Sequence, residues 1–303
     1  MIGHVVPFFI HAITPLHVGA GRGVRFIDLP VIREKATGWP IVPGSSIKGV
    51  LADYHGATDE GRDQNEKLRA AFGRADKGAL DQGMPNAGSL VFTDAKVLCM
   101  PVRSFYGTFA WITSPLALKR FLRDMKTAGD SLDIDSIPEP STQQTLLGTN
   151  NSALQKDYKV YLEDNDFSFQ PDDRVRKFGE KIAQAVYKDN HGSWIDEFLK
   201  RFAIVTDDTF DFFCELGTEV RARIRIDQDT KTVQEGALWY EEALPAETIL
   251  AGIVWCDKVY GAEAPEPSEL LNDFCSNTLT LQLGGGASIG KGLVKMIFQN
   301  GGD

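Results

Sequence analysis

Cysteine is scarce and scattered in this chain. Cys99, Cys214, Cys256 and Cys275 are the only four among 303 residues, and no two stand at CxxC spacing. That spacing excludes a zinc ribbon or a disulfide framework as the organising device, and leaves buried free thiols in a reducing cytoplasm as the expectation. No apolar run is long enough to span a bilayer, and the opening MIGHVVPFFIHAITP lacks the basic segment of a secretory signal. Val5 to Ile13 therefore reads as a strand. Positive charge is also in deficit: 32 Lys and Arg stand against 42 Asp and Glu, a net charge of −10. A protein that grips nucleic acid by bulk electrostatics is excluded by that balance. A groove lined by a few basic side chains is not, because screening confines each charge to about 8 to 10 Å. There is no GxSxG and no cysteine with a histidine in context, which removes serine-hydrolase and thiol chemistry.

What is present begins with Thr14 to Lys48, TPLHVGAGRGVRFIDLPVIREKATGWPIVPGSSIK. A glycine-rich loop carries His17, Arg22, Arg25 and the acid Asp28, then leads to Pro43-Gly44-Ser45-Ser46, which reads as a serine-capped helix start. Glycines let a backbone approach phosphates and basic side chains neutralise them, so the mixture suits a polyanion. The same residues also suit an ordinary surface loop. Asp28 and His17 offer an acid and a base, and Asp28 alone offers one carboxylate to a divalent cation.

Downstream, Ser89 to Met100 and Phe105 to Ile112 read as strands separated by a bend at Pro101, and Ser114-Pro115 opens a capped helix. Strand, helix, strand, strand, helix is five sixths of a ferredoxin-like unit. Gly129 to Gln155 is polar and turn-rich and is expected as an insertion outside the core. Asp172 to Tyr187 and Ser193 to Phe202 carry helical spacing, the second behind a serine cap. In Glu219 to Ile226, EVRARIRI, strict alternation puts Arg221, Arg223 and Arg225 on one strand face, and TVQEGALWY returns as the second arm of a hairpin. Three guanidinium groups in a row can follow a phosphate chain, or can pair with Glu219, Glu241 and Glu242 as a solvated face. Near the end, Gly285 to Lys291 matches GxxxxGK, but Gly292 replaces the Ser or Thr that a P-loop needs, and a strand rather than a helix follows. An ATPase is thereby rejected, and Gly284, Gly285, Gly286 and Lys291 remain as a phosphate nest or a plain hairpin.

Taken together, TPLHVGAGRGVRFIDLPVIRE with PGSSIKG, SFYGTFAWITSPLALKRF, RIRIDQDTKTVQEGALWYEEALPAETI and LGGGASIGKG resemble the RAMP-superfamily CRISPR proteins. More narrowly, they resemble the repeating backbone subunit of type III-B (Cmr) effector complexes. The resemblance implies an α+β fold: a single RAMP domain over 1–303, with a ferredoxin-like, RRM-related palm, an insertion near 129–155 and a β-hairpin thumb near 219–242. It implies a cytoplasmic endoribonuclease subunit that polymerises with copies of itself and other Cmr subunits along a CRISPR guide RNA, with no membrane partner. It further implies cleavage of the paired single-stranded target RNA at regular intervals, dependent on Mg or Mn. In that picture Asp28 is the catalytic acid and metal ligand, with His17 as a secondary candidate. Arg22, Arg25, Ser45, Ser46, Lys48, the hairpin arginines, Gly284 to Gly286 and Lys291 contact RNA, while the thumb displaces a base. Two rivals stand beside it: a structural guide-binding subunit without cleavage of its own, and a guide-processing ribonuclease with His17 or His11 as base.

Overall fold

In the computed structural model, the described residues are 4–21, 23, 27–74, 86–130, 136–187, 192–227, 229–259 and 265–299. The first third contains β1 (His4–Ala12), β2 (Ile41–Val42), α1 (Gly44–Tyr54), α2 (Asp59–Gln64), α3 (Glu66–Phe72), β3 (Val91–Phe92) and β4 (Ala95–Arg103). The middle adds β5 (Phe109–Thr113), α4 (Pro115–Thr127), β6 (Thr145–Gly148), β7 (Lys159–Leu162), β8 (Asn165–Pro171), α5 (Asp173–Tyr187), α6 (Ser193–Arg201), β9 (Phe202–Ile204) and α7 (Asp207–Leu216). The chain closes with β10 (Glu219–Ile226), β11 (Val233–Ala243), β12 (Ile249–Cys256), α8 (Pro267–Phe274), β13 (Leu279–Gln282) and β14 (Leu293–Phe298).

The ferredoxin-like palm is present, built from other elements than the sequence order suggests. Strands β14, β1, β12 and β4 lie side by side, all antiparallel. With α1 after β1 and α8 after β12, they reproduce the 4-1-3-2 order of the βαββαβ unit. The expected third strand and second helix, β5 and α4, are not part of it. Instead, the residues between β4 and β12 form a second half of the sheet, in the order β5-β9-β6-β8-β7. An antiparallel bridge between Ser104 and Leu162 ties the last of these strands back to the end of β4. Local pattern cannot distinguish a strand that follows in sequence from one that arrives about 150 residues later, because both read as alternating apolar segments.

Alternation along β1 sets the layers. Phe8 and Ile10 are buried with α1, α3 and α8 on one face, and Phe9 with α4, α5 and α6 on the other, where it meets Phe121 at 5.9 Å. A third core, around Met100, Ile112, Leu146 and Phe213, fills the second half of the sheet. All four cysteines are buried and free, and burial pushes the thiols up, Cys256 to about 11. Among the described residues no helix is long and apolar enough to cross a membrane.

Three local expectations are corrected. Pro101 lies inside β4, opposite Trp111, beyond the point where β12 stops pairing, so its missing N–H interrupts no β12 ladder. Within 129–155, expected outside the core, Thr145–Gly148 is fully buried between β8 and β9, because TLLG is apolar enough to serve as a central strand. The serine caps hold only for α4, where Ser114 accepts from the Ala117 N–H. Helix α1 starts behind Pro43, and its Gly44 N–H donates to Asp94 from the loop before β4 at 2.9 Å. Helix α6 starts behind Gly192.

Candidate RNA-cleavage site at the foot of the hairpin

Strands β10 and β11 form a separate two-stranded sheet. Its register places Arg221 opposite Glu241 and Arg223 opposite Trp239, so one face is cationic at its outer end and acidic at its foot. Arg221 pairs with Glu219 on its own strand at 2.6 Å, and Arg223 leans toward Glu241 at 3.9 Å. Arg225 is exposed and forms no ion pair among the described residues. The opposite face carries Val220, Ile224, Ile226, Val233, Leu238 and Tyr240, each more than a third exposed, with Leu238 at 54%. An exposed apolar face of that extent is suited to contact with a partner.

The loop that bears Asp28 is stitched to this foot. The Asp28 and Leu29 N–H groups donate to the Tyr240 carbonyl at 3.1 and 3.0 Å, and the Glu242 N–H donates to the Leu29 carbonyl at 2.9 Å. Residues 28–31 thus run as a short ribbon beside β11. On their other flank Ala20 N–H donates to Pro30 and Ile32 N–H to Val18. The Asp28 side chain is exposed, and its Oδ2 accepts the Tyr240 N–H at 2.7 Å. That bond fixes the carboxylate at the root of the hairpin. Arg22 and Arg25, expected as RNA contacts from the same loop, lie outside the described residues.

His17 belongs to the framework of this site. It is buried, and its Nδ1 lies 2.6 Å from the Glu242 carbonyl, which only accepts; Nδ1 therefore carries the hydrogen. Its own carbonyl accepts the Gly285 N–H at 2.8 Å. Gly284, at φ +75°, passes so close that a Cβ there would stand 2.2 Å from the His17 oxygen. The terminal glycines thereby serve close packing of two chain segments. Lys291 is a correction: it is buried, and its ammonium donates to Glu241 at 2.9 Å instead of facing solvent as a free phosphate ligand. Burial alone would raise the Glu241 carboxyl, but Lys291, with His17 and Arg223 behind it, holds it below the usual carboxylate value.

The structure thus brings together His17, Asp28, Arg221, Arg223, Gly284 to Gly286 and Lys291 around Glu241 and Glu242. Ser45, Ser46 and Lys48 belong to a separate surface at the start of α1. There Ser45 is exposed and the first turn holds no acid, but Lys48 donates to the Leu90 carbonyl at 2.7 Å and the Gly88 carbonyl at 3.3 Å. Burial lowers its pKa. Lys48 therefore joins α1 to the segment before β3. His11 is likewise internal, bonded to Glu247 at 2.8 Å with the Tyr187 ring edge-on at 5.3 Å, and it does not meet the Asp28 loop. Sequence reasoning missed the central role of the Glu241-Glu242 doublet and of Arg33. The available signal was two adjacent acids where a strand returns to the body: neighbours on a strand face opposite ways, so the doublet can grip two different segments.

Among the described residues no group of three or more His, Cys, Asp or Glu side chains could hold a metal ion.

Comparison with known proteins follows the same lines. A family model described as the RAMP superfamily matches residues 9–295. The CRISPR system Cmr endoribonuclease Cmr4 of Pyrococcus furiosus is 35% identical over 298 residues, covering 97% of this chain and 96% of that protein. The crystal structure of oligomeric Cmr4 from Pyrococcus furiosus matches with a TM-score of 0.71 at 28% identity, over 99% of both chains. A chain of the type III-B Cmr-beta complex bound to cognate target RNA matches with a TM-score of 0.71 over 98% of both chains; at 22% identity that is a likeness of fold alone.

Proposed function

Because this chain belongs to the RAMP superfamily, and within it to the Cmr4 group, we propose that it is the repeating backbone subunit of a cytoplasmic type III-B effector complex. It binds guide RNA beside other Cmr subunits and further copies of itself, and cleaves the paired target RNA. The observation that carries the cleavage reading is the exposed Asp28 carboxylate, held by the Tyr240 N–H at the root of a hairpin that projects arginines on one face and apolar side chains on the other.

Each part has a task in that reaction. Guide and target recognise each other by base pairing, so the protein needs backbone and shape contacts rather than readers of base edges. Arg225, the outer hairpin arginines and the exposed start of α1 are suited to phosphates. The apolar hairpin face is suited to wedging against bases, which would bend the target backbone beside Asp28. Cleavage then proceeds when a ribose 2′-hydroxyl attacks the adjacent phosphorus: the new O–P bond closes a 2′,3′-cyclic phosphate as the bond to the leaving 5′-oxygen breaks, and that oxygen takes a proton from water. The other oxygen of Asp28, Oδ1, accepts or orients the hydroxyl proton, and in-line placement of the nucleophile supplies much of the acceleration. A divalent ion, if required, would be held jointly by Asp28, RNA phosphates and water, and would neutralise charge on the phosphate.

The test is target cleavage by a reconstituted complex carrying Asp28→Ala. Loss of cleavage with assembly, guide binding and target binding retained is expected. Cleavage at the parent rate would refute the assignment and leave a structural subunit. Omission of magnesium and manganese from the parent complex, with chelator present, is expected to stop cleavage; undiminished cleavage would remove the metal.

A further inference from the structure

Asp28 can act only if its loop is held at a defined place relative to the hairpin, and beside the bonds to Tyr240 one buried side chain adds to that hold. Glu242 is 2% exposed. Its Oε2 accepts the Val31 N–H at 2.9 Å, and its Oε1 accepts Arg33 Nη2 at 2.5 Å and the Thr218 hydroxyl at 2.8 Å. Its main-chain N–H donates to Leu29, and its carbonyl receives His17. A single residue of the hairpin thus holds the loop after Asp28 at Leu29, Val31 and Arg33, the entry to the hairpin at Thr218, and the His17 segment. Arg33 extends the hold, donating through Nη1 to the carbonyls of Gly38 and of Cys214 in α7, each at 3.0 Å. Beneath the loop lies a cleft of about 530 Å³, walled by Ile27, Pro30, Val31, Leu216 and Val220. Pro30 and Val31 are themselves buried against this wall, so the loop is held by packing as well as by hydrogen bonds.

We infer that Glu242 is a positioning residue for the cleavage reaction, locking the Asp28 loop to the base of the hairpin so that the carboxylate moves with the element that engages RNA. This inference rests on the proposed role of Asp28. Its alternation partner, Glu241, faces the other way and holds the terminal glycine segment through Lys291, so the doublet anchors the hairpin foot on both sides.

The chemistry of the carboxylate supplies a selective test. Three donors converge on two oxygens, with Val31 on one and Arg33 and Thr218 on the other. In Glu242→Gln the shape is kept but one oxygen becomes an NH₂ group. The amide keeps its remaining oxygen toward the Arg33 guanidinium, the stronger donor, and turns its NH₂ against the Val31 N–H. The loop bond is lost while the bond to Arg33 is kept. Glu242→Gln is assembled into the guide-loaded complex and compared with the parent at saturating target in single-turnover cleavage, together with target affinity and amide hydrogen exchange at Val31. The expected result is a ten- to hundredfold fall in cleavage rate, since small misplacements of a reacting group carry losses of that order. Target affinity stays within about twofold, and Val31 exchange accelerates at least tenfold.

Cleavage at the parent rate in assembled Glu242→Gln complex overturns the inference. So does a rate that falls only in proportion to lost assembly or target binding, which would mark Glu242 as merely structural, and so does unchanged exchange at Val31. If Glu242→Gln fails to assemble, Thr218→Val decides: it removes one donor from the same carboxylate, and a reduced rate with binding retained supports the inference, whereas the parent rate overturns it. Failure of the underlying reading is seen separately, as parent-rate cleavage in Asp28→Ala.

Discussion

Replacing Lys291 with methionine removes one partner of a buried ion pair while keeping the volume of the stem. The Lys291 and Glu241 side chains are 5% and 8% exposed, and their charged atoms lie 2.9 Å apart. Removing one member of such a pair typically costs about 3 to 5 kcal/mol, because the survivor is left charged without its partner and without full hydration. Arg223, 3.9 Å from Glu241 and itself a third exposed, compensates in part and sets the expectation at the lower end. A loss of about 3 kcal/mol lowers the ratio of folded to unfolded chain by roughly a hundredfold. Urea denaturation of the full chain at pH 7 measures it. The pH dependence has a definite sign. The folded Glu241 carboxyl lies below its ordinary value of 4.5, so its stabilising contribution is complete above that value and is lost as pH falls through the folded one. In Lys291→Met the orphaned carboxyl is instead driven upward by burial and takes up a proton more readily. The gap between parent and variant therefore narrows as pH falls from 7 toward 4. Glu241→Gln combined with Lys291→Met removes both charges and is expected within about 1 kcal/mol of the parent, since neutral replacement of a buried pair is often tolerated. A loss under 1 kcal/mol in the single variant, or a gap independent of pH, would refute the reasoning.

Two further outcomes follow from particular side chains. His55 packs against Phe72 and Phe274, its Nε2 has no partner among the described residues, and burial lowers its pKa from 6.5, so the unfolded chain binds a proton first as pH falls. Stability should decline below about pH 6.5, and His55→Phe should flatten that decline in thermal melts taken between pH 7 and 5; an unchanged slope would exclude His55 as its source. For guide binding, Arg225→Ala should lower the slope of log affinity against log salt by about one, whereas Lys48→Met, whose ammonium is held by two carbonyls, should leave the slope unmoved and reduce stability. A reversed pattern would make Lys48 the phosphate ligand.

Much of this chain is legible one residue after another. Period two in EVRARIRI and its return strand marks the hairpin, and the structure closes it from Glu219 to Ala243 in that register. Ser114-Pro115 marks the start of α4, and the spacing of the cysteines marks buried thiols. These features depend on near neighbours, whose side-chain directions are set by strand and helix geometry alone. The palm was legible in kind but not in membership, because β4 pairs in the palm with β12, which lies about 150 residues further along the chain, and local pattern carries no record of that partner.

What tertiary structure alone decided is the state of each charged side chain. Lys291 and Arg225 are both basic residues in or beside strands, yet one is buried on Glu241 and the other faces solvent. Asp28 and Tyr240 are 212 residues apart, and so is nothing in the local text around either one that announces their hydrogen bond. Motifs and periodicity determined where a hairpin, an acid-bearing loop and a glycine turn would occur. Only long-range packing determined that they meet at Glu241 and Glu242, because burial and ion pairing depend on which distant segments share a low-dielectric space.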